Sequence, residues 1–388
     1  MTENDHLPFP ADNFQRRFNR IFEQLVSHCH VLLYIRYDHC RTPQAALSPY
    51  VAGERPEDGV RAIKLNQNES PYPASPSVSD ALRGIGPELF REYPDALCDK
   101  LRRKLSAVHG IPASRIICGN GSSELITLLY KTLLREGDAV AIPDPTFGLY
   151  ETVARTFGVE PVVVPTDDEY RIDTRRLAET NAAAIIIANP NAPTGIPLQA
   201  PEIERLLQTY NGLVVVDEAY IDFAPESISV MNLIETYEHL IVLRTFSKAY
   251  ALCGARIGFA VASERLIRAM QKARETFSVG AVAQLAAEAS LADMDYVKFT
   301  VSRISQTRDR FAAELTRRGW RVIPSVTNFV LAAPPSDGVS AKELYARLLQ
   351  EHIYVRYFDL PRLSDKLRIS IGTDEDMDAL LAALTRIG

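Results

Sequence analysis

The sequence predicts an α/β fold: a large domain with a mostly parallel sheet flanked by helices, followed by a smaller α+β C-terminal domain. Three observations carry this expectation. The chain has 388 residues, 46% hydrophobic and 24% charged, which is enough material for two substantial cores. Between about Arg115 and Ala262, short apolar runs alternate with amphipathic stretches, the pattern of repeated strand–helix units around a buried parallel sheet. After Glu264 the character changes to long helical stretches separated by isolated strands.

Taken in order, the expected strands of the large domain are Arg115–Cys118, Ala139–Ile142, Pro161–Val164, Ala184–Ala188, Leu213–Val216, Leu240–Leu243 and Ile257–Val261. Helices are expected over Ser122–Leu134 and Pro201–Tyr210, the second with proline in its first turn, where the missing N–H is harmless. The second domain reads as Trp320–Ile323, Asn328–Leu331, a helix over Ala341–Gln350, Leu367–Ile371 and a closing helix from Asp374. No internal repeat or low-complexity tract interrupts the chain.

Ahead of these elements, Phe18, Ile21, Phe22, Leu25, Val26, Cys29, Leu32 and Leu33 mark one face of a helix, read as a packing or partly disordered extension. His28, Cys29, His30, His39 and Cys40 lie close together in sequence but lack standard metal-ligand spacing, so no metal site is expected. The five cysteines are scattered without a CxxC pair, which suits neither a disulfide framework nor zinc and fits a reducing cytoplasm. The apolar stretch Leu25–Ile35 is too short and too interrupted to span a bilayer, and residues 1–20 do not read as a secretory signal. A net charge of −6 gives no reason to bind nucleic acid or an anionic membrane and favours a small-molecule partner.

Three segments carry chemistry. Arg115-Ile-Ile-Cys-Gly-Asn-Gly-Ser-Ser-Glu124 runs from a strand through two glycines into a helix, which gathers free N–H groups and a positive dipole end around an anion. The same segment could be a dinucleotide turn, but Glu124 stands where a third glycine would be required; it could also be a plain helix cap. Val214-Val-Val-Asp-Glu-Ala-Tyr220 ends an apolar strand in carboxylates, at the edge where open α/β sheets present groups to ligands, although nucleotide hydrolases and helix caps also use such pairs. In Leu243-Arg-Thr-Phe-Ser-Lys-Ala-Tyr250, Lys248 follows another apolar run, with Ser247 before it and Arg256 eight residues later. A lone lysine is ordinarily a solvated surface group, but this setting favours a Schiff-base lysine beside an anion site.

With these residues in view, the chain resembles the fold type I pyridoxal-phosphate-dependent aminotransferases and, among them, the histidinol-phosphate aminotransferases. The resemblance runs from about Leu47 to the C-terminus. Its ordered motifs are Leu65-Asn-Gln-Asn-Glu-Ser-Pro-Tyr72, Tyr93-Pro-Asp95, Gly119-Asn-Gly-Ser-Ser-Glu124, Asn189-Pro-Asn-Ala-Pro-Thr-Gly195, Asp217-Glu-Ala-Tyr220, Ser247-Lys248, Arg256 and Leu367-Arg-Ile-Ser-Ile-Gly372.

It implies pyridoxal 5'-phosphate as cofactor, Lys248 as the lysine that bonds it and moves the proton, Asp217 on the ring nitrogen and Tyr220 on the ring oxygen. Ser122, Ser123, Ser247 and Arg256 would hold the phosphate, with Tyr93 reaching it from the other subunit of a homodimer. Arg356 and Arg368 match the family's substrate arginines, Asn68 falls among the expected substrate contacts, and Tyr72 matches a tyrosine that touches substrate from the partner subunit. Phe147 stands where a ring-stacking tyrosine is common. Ala192 stands where asparagine is common, so either Asn191 takes over or Tyr220 works alone.

The implied reaction is transamination between L-histidinol phosphate and 2-oxoglutarate. An aromatic amino acid aminotransferase and a threonine-phosphate decarboxylase are the neighbouring alternatives. A dinucleotide-dependent dehydrogenase would leave Lys248 without a role, and a regulator would need a basic DNA-reading module that residues 1–46 do not supply. The boundaries expected are an extension at 1–46, an arm at 47–75, a large cofactor-binding domain at 76–290 and a small domain at 291–388.

Overall fold

β-Branched runs without charges determine the centre of the molecule. Ala184-Ile-Ile-Ile-Ala188 and Leu213-Val-Val-Val-Asp217 carry apolar side chains on both faces, so both are interior strands, buried along almost their whole length. The structure, a computed structural model, describes residues 53–57 and 59–387, all within one compact unit. The amphipathic stretch Phe18–Leu33 and the His28–Cys40 group lie outside the described residues.

In chain order the strands are β1 (Ile63–Lys64), β2 (Ile116–Gly119), β3 (Ala139–Asp144), β4 (Glu160–Pro165), β5 (Ala184–Ala188), β6 (Leu213–Asp217), β7 (Leu240–Thr245), β8 (Gly258–Ala262), β9 (Arg321–Ile323), β10 (Phe329–Ala333), β11 (Ile353–Tyr354), β12 (Arg356–Tyr357) and β13 (Leu367–Ser370). Seven of them form the large sheet in the order β2-β8-β7-β6-β5-β3-β4. From β7 to β4 neighbouring strands run parallel, while β8 is antiparallel to both β2 and β7. The link from β7 to β8 contains a short 3-10 turn and no α-helix, so the chain folds straight back instead of crossing over.

Helices cover the sheet where apolar faces recur. Gly121–Leu133 buries Leu125, Ile126, Leu128 and Leu129. Ala200–Thr209 starts with proline in its first turn, and Glu202 Oε2 accepts the Gln199 N–H at 3.2 Å. Among the described residues, no helix is long and apolar enough to cross a membrane.

The smaller unit is a four-stranded antiparallel sheet, β12-β13-β10-β9, with the helices Met294–Arg317, Ala341–Gln350 and Asp374–Ile387 around it. The segment that precedes the large sheet in sequence is joined to this end. β1 pairs in parallel with β11, Leu65 N–H donates to the Tyr354 carbonyl at 2.7 Å, and Ser370 N–H donates to the Leu65 carbonyl at 2.9 Å. Asn66 to Glu69 are thereby held beside the carboxyl ends of β6 and β7, the edge at which open α/β sheets bind ligands.

Candidate active site

One end of the site is a backbone cup. Beyond β2 the chain turns through Asn120 and Gly121 into the helix Gly121–Leu133, and Gly121 adopts φ +77°. A Cβ on Gly121 would lie 2.6 Å from Arg256 Nη2, so the guanidinium occupies the space a side chain would need. A Cβ on Gly258 would lie 2.7 Å from Ser122 N, which is why β8 can begin directly against the helix start. Arg256 Nη1 donates to Ser247 Oγ at 3.3 Å, and Thr245 Oγ1 donates to the same oxygen at 2.9 Å. A helix N-terminus, a guanidinium and the hydroxyls of Ser122, Ser123 and Ser247 converge on one concavity, an arrangement that binds phosphate.

At the end of β6 the adjacent carboxylates separate. Asp217 is 4% exposed and faces the cavity; its Oδ2 accepts the Tyr150 hydroxyl at 2.8 Å and its Oδ1 accepts the Ala219 N–H at 3.1 Å. Burial pushes its carboxyl up to about 6, opposed by the Tyr150 and Ala219 hydrogen bonds and by Lys248, while Glu218 pushes in the same direction as burial. Glu218 is directed away from the cavity and is paired with Arg244 at 2.9 Å, with further hydrogen bonds from Ser229 Oγ and Val230 N–H.

Lys248, beyond β7, enters from the other side. Its Nζ donates to the Gln67 carbonyl at 3.2 Å and lies 5.6 Å from the centre of the Tyr220 ring. The Tyr220 hydroxyl accepts from Asn68 Nδ2 at 2.9 Å, and its ring meets Phe329 edge-on at 5.1 Å. Asn68 lies at the cavity wall with its side chain buried. It sits at φ +55° and is 1% exposed, its Oδ1 accepting from Ser370 Oγ at 2.9 Å. Its first visible role is therefore to orient Tyr220.

Phe147 and Ala192 line the cavity, and Phe147 meets Tyr150 edge-on at 5.5 Å. Asn191, considered as a replacement for the missing asparagine, is completely buried. Its Oδ1 accepts from Thr146 Oγ1 at 2.9 Å, and its Nδ2 donates to the Pro145 carbonyl and to Thr194 Oγ1. That amide braces the loop and lies outside the residues that line the cavity.

The outer end is lined with cations. Arg356 and Arg368 are register partners across β12 and β13. Arg356 stacks over Phe358 at 5.2 Å. Arg368 lies over Phe329 and Phe358 at 5.5 and 5.4 Å and donates to the Asn66 carbonyl at 2.9 Å. Arg55 and the Lys64–Glu69 ion pair, at 2.7 Å, complete a cavity of about 600 Å³.

Tyr72 and Tyr93 are outside this chain's own cavity. Tyr72 packs on the core, and Tyr93 is 81% exposed with its ring stacked on Phe277 at 4.5 Å. Tyr150, Thr245, Arg55 and the Lys64–Glu69 pair were not singled out in the sequence. For Tyr150 a signal exists, since it follows Phe147 by three residues at a helix start, the spacing that puts two side chains on one face.

Comparison with known proteins bears on this geometry. The family model for aminotransferase class I and II matches residues 60–384. The chain belongs to that family. This aminotransferase is 40% identical over 347 residues to histidinol-phosphate aminotransferase 2 of Rhizobium meliloti, covering 88% of this chain and 97% of the relative. It is 35% identical over 347 residues to histidinol-phosphate aminotransferase 1 of a Nostoc species, covering 89% and 97%. Its structure is similar to that of a histidinol-phosphate aminotransferase from Sinorhizobium meliloti in complex with pyridoxal-5'-phosphate, with a TM-score of 0.83, 29% identity and coverage of 90% of this chain and 97% of the other.

Proposed function

We propose that this aminotransferase uses pyridoxal 5'-phosphate to move the amino group of L-histidinol phosphate to 2-oxoglutarate, giving imidazole acetol phosphate and L-glutamate in histidine biosynthesis. The observation that carries the reading is the sequence of groups along one cavity: an anion cup, a buried carboxylate, a lysine amine and a pair of arginines.

The residues present fit the cofactor. Gly121 and Gly258 leave the cup free of side chains where a phosphate must approach the backbone. Ser122, Ser123, Ser247 and Arg256 would hold the phosphate, Asp217 the ring nitrogen, Tyr220 the ring oxygen and Lys248 the carbonyl carbon, with Phe147 offering an aromatic face. When bound, pyridoxal phosphate supplies an electron-withdrawing ring that accepts the electron pair left as the substrate's α-proton departs.

The chain's own residues supply the rest. Asp217 would match its negative charge to the protonated ring nitrogen. Tyr220, whose hydroxyl accepts from Asn68, would point its own O–H toward the ring oxygen. The Lys248 amine would move the proton between the substrate's α-carbon and the cofactor. Arg368 and Arg356 bind anions in turn, the carboxylates of glutamate and the phosphate of the larger donor. On this reading two copies of the chain assemble in the cytoplasm as a homodimer, each contributing Tyr72 and Tyr93 to the other's site, and an arm at 47–75 precedes domains at 76–290 and 291–388.

The test is to follow the visible absorbance of the cofactor-loaded protein after adding histidinol phosphate, glutamate or phenylalanine separately. Conversion is expected with the first two at rates that exceed the third by at least about tenfold, the discrimination one well-placed charged contact provides. A fast response to phenylalanine with none to histidinol phosphate would overturn the substrate assignment.

A further inference from the structure

We propose that Tyr150 is the positioning residue for Asp217: its hydroxyl fixes the carboxylate in its ionised form and in one orientation. The inference rests on the reading of Asp217 as the partner of the cofactor's ring nitrogen. Tyr150 lies in the first turn of the helix Leu149–Thr156, completely buried between Phe147, which meets it edge-on, and the strand end that carries Asp217. Its own backbone is held from behind, the Tyr130 hydroxyl donating to the Tyr150 carbonyl at 3.0 Å.

The direction of the 2.8 Å hydrogen bond follows from burial. The phenol of Tyr150 is held far above its ordinary range, by burial first and then by Asp217, so it keeps its proton at every working pH and donates it to Oδ2. Oδ1 already accepts the Ala219 N–H, so these two donors fix the plane of the carboxylate.

The remaining charged groups around Asp217 do not substitute for this contact. Glu218 is adjacent and of the same sign, Lys248 acts only through its charge, and Tyr220 accepts from Asn68. Without the hydroxyl, a carboxylate already raised by burial rises further, and a larger share of it turns neutral as pH falls from 7 toward 6. It then no longer complements a protonated ring nitrogen.

The test is the dissociation constant of pyridoxal phosphate for the full-length chain between pH 6 and 9, measured by visible absorbance for the natural sequence and for Y150F, Y130F and D217N. For Y150F the acid edge of binding should move up by about one pH unit, the size expected for one hydrogen bond to a charged group. Affinity should fall about fivefold at pH 6 and about twofold at pH 7, and match the natural protein at pH 9. Y130F, which removes only the bond to the Tyr150 carbonyl, should leave the edge in place. An unmoved edge in Y150F, or a loss of the same factor at every pH, would make Tyr150 a packing residue and overturn the inference. D217N should bind weakly throughout the range. Natural affinity in D217N would remove the assignment of Asp217 itself, and the inference with it, whatever Y150F does.

Discussion

The two ends of the cavity are built by different means. At the inner end, Asp217 and Ser247 are buried at strand ends, and the cup is formed by a helix start and the exposed Arg256. Hydrogen bonds of 2.8 to 3.3 Å from Tyr150, Thr245 and Arg256 fix the orientations of Asp217 and Ser247. At the outer end, Arg356 and Arg368 stand on strands of two and four residues, half-buried, steadied by the rings of Phe358 and Phe329. Burial places the Asp217 charge in a low-dielectric setting where each contact is strong. On the proposed reading, partial exposure lets the outer end accept donors of different length. The chemistry common to both half-reactions belongs, on the same proposed reading, to the first and the choice of donor to the second.

That division is broken most severely at Lys248. Lys248→Ala should abolish transamination, by at least about 10⁴-fold, because on the proposed reading both the covalent attachment and the proton transfer depend on the same amine. The protein should still fold and the cup should still bind phosphate. Single-turnover rates with glutamate check this.

Asp217→Asn separates function from stability at the inner end. The Asp217 carboxyl is raised from its ordinary 3.8 to about 6 in the folded chain, so folding takes up a proton between these values. Stability of the cofactor-free protein therefore falls as pH rises through this window, by up to about 3 kcal/mol, and the loss is complete above pH 6. The cofactor-free Asn variant should melt several degrees higher than the natural protein at pH 8 and no higher near pH 4, while its turnover falls by at least about 10²-fold. Thermal melts between pH 4 and 8 with parallel rate measurements decide the matter.

At the outer end the effects should be smaller and selective. Arg368→Lys keeps the charge but loses the planar fork, and should slow both half-reactions by about 10- to 100-fold. Arg356→Lys should act more heavily on the phosphate-bearing donor, since Arg356 adjoins Tyr357 and Phe358, an aromatic strand end suited to an imidazole. Equal losses for both donors in both variants would erase the distinction.

The smallest change expected is Ala192→Asn. Because the Asn191 amide is already taken by Thr146, Pro145 and Thr194, an amide at 192 adds a donor at the cavity wall without displacing an existing one. Cofactor affinity should rise by about two- to tenfold, the worth of one hydrogen bond, as read by equilibrium titration.

Much of the inner end was legible because its parts are contiguous in sequence. A run of valines ending in Asp217, a strand–Gly-Asn-Gly–helix segment and Ser247-Lys248 after an apolar run each combine element and chemistry in a few residues. The seven strands of the large sheet were visible for the same reason, to within a few residues at their ends. Contacts between distant segments were not. Nothing local announces that β1 pairs with β11, that Asn68 supports Tyr220, or that Asp217 accepts from a tyrosine 67 positions earlier. The antiparallel direction of β8 depends on what its connection omits, and the orientation of Asn191 on a loop whose hydrogen bonds close only in three dimensions.

The most direct test of the account is to treat the cofactor-loaded protein with borohydride, which fixes a lysine–carbonyl linkage permanently, and to locate the modified residue by peptide mass spectrometry. A single label on Lys248, absent from Lys248→Ala, is the result the account predicts. A label on any other lysine, or one that persists in the variant, would contradict it.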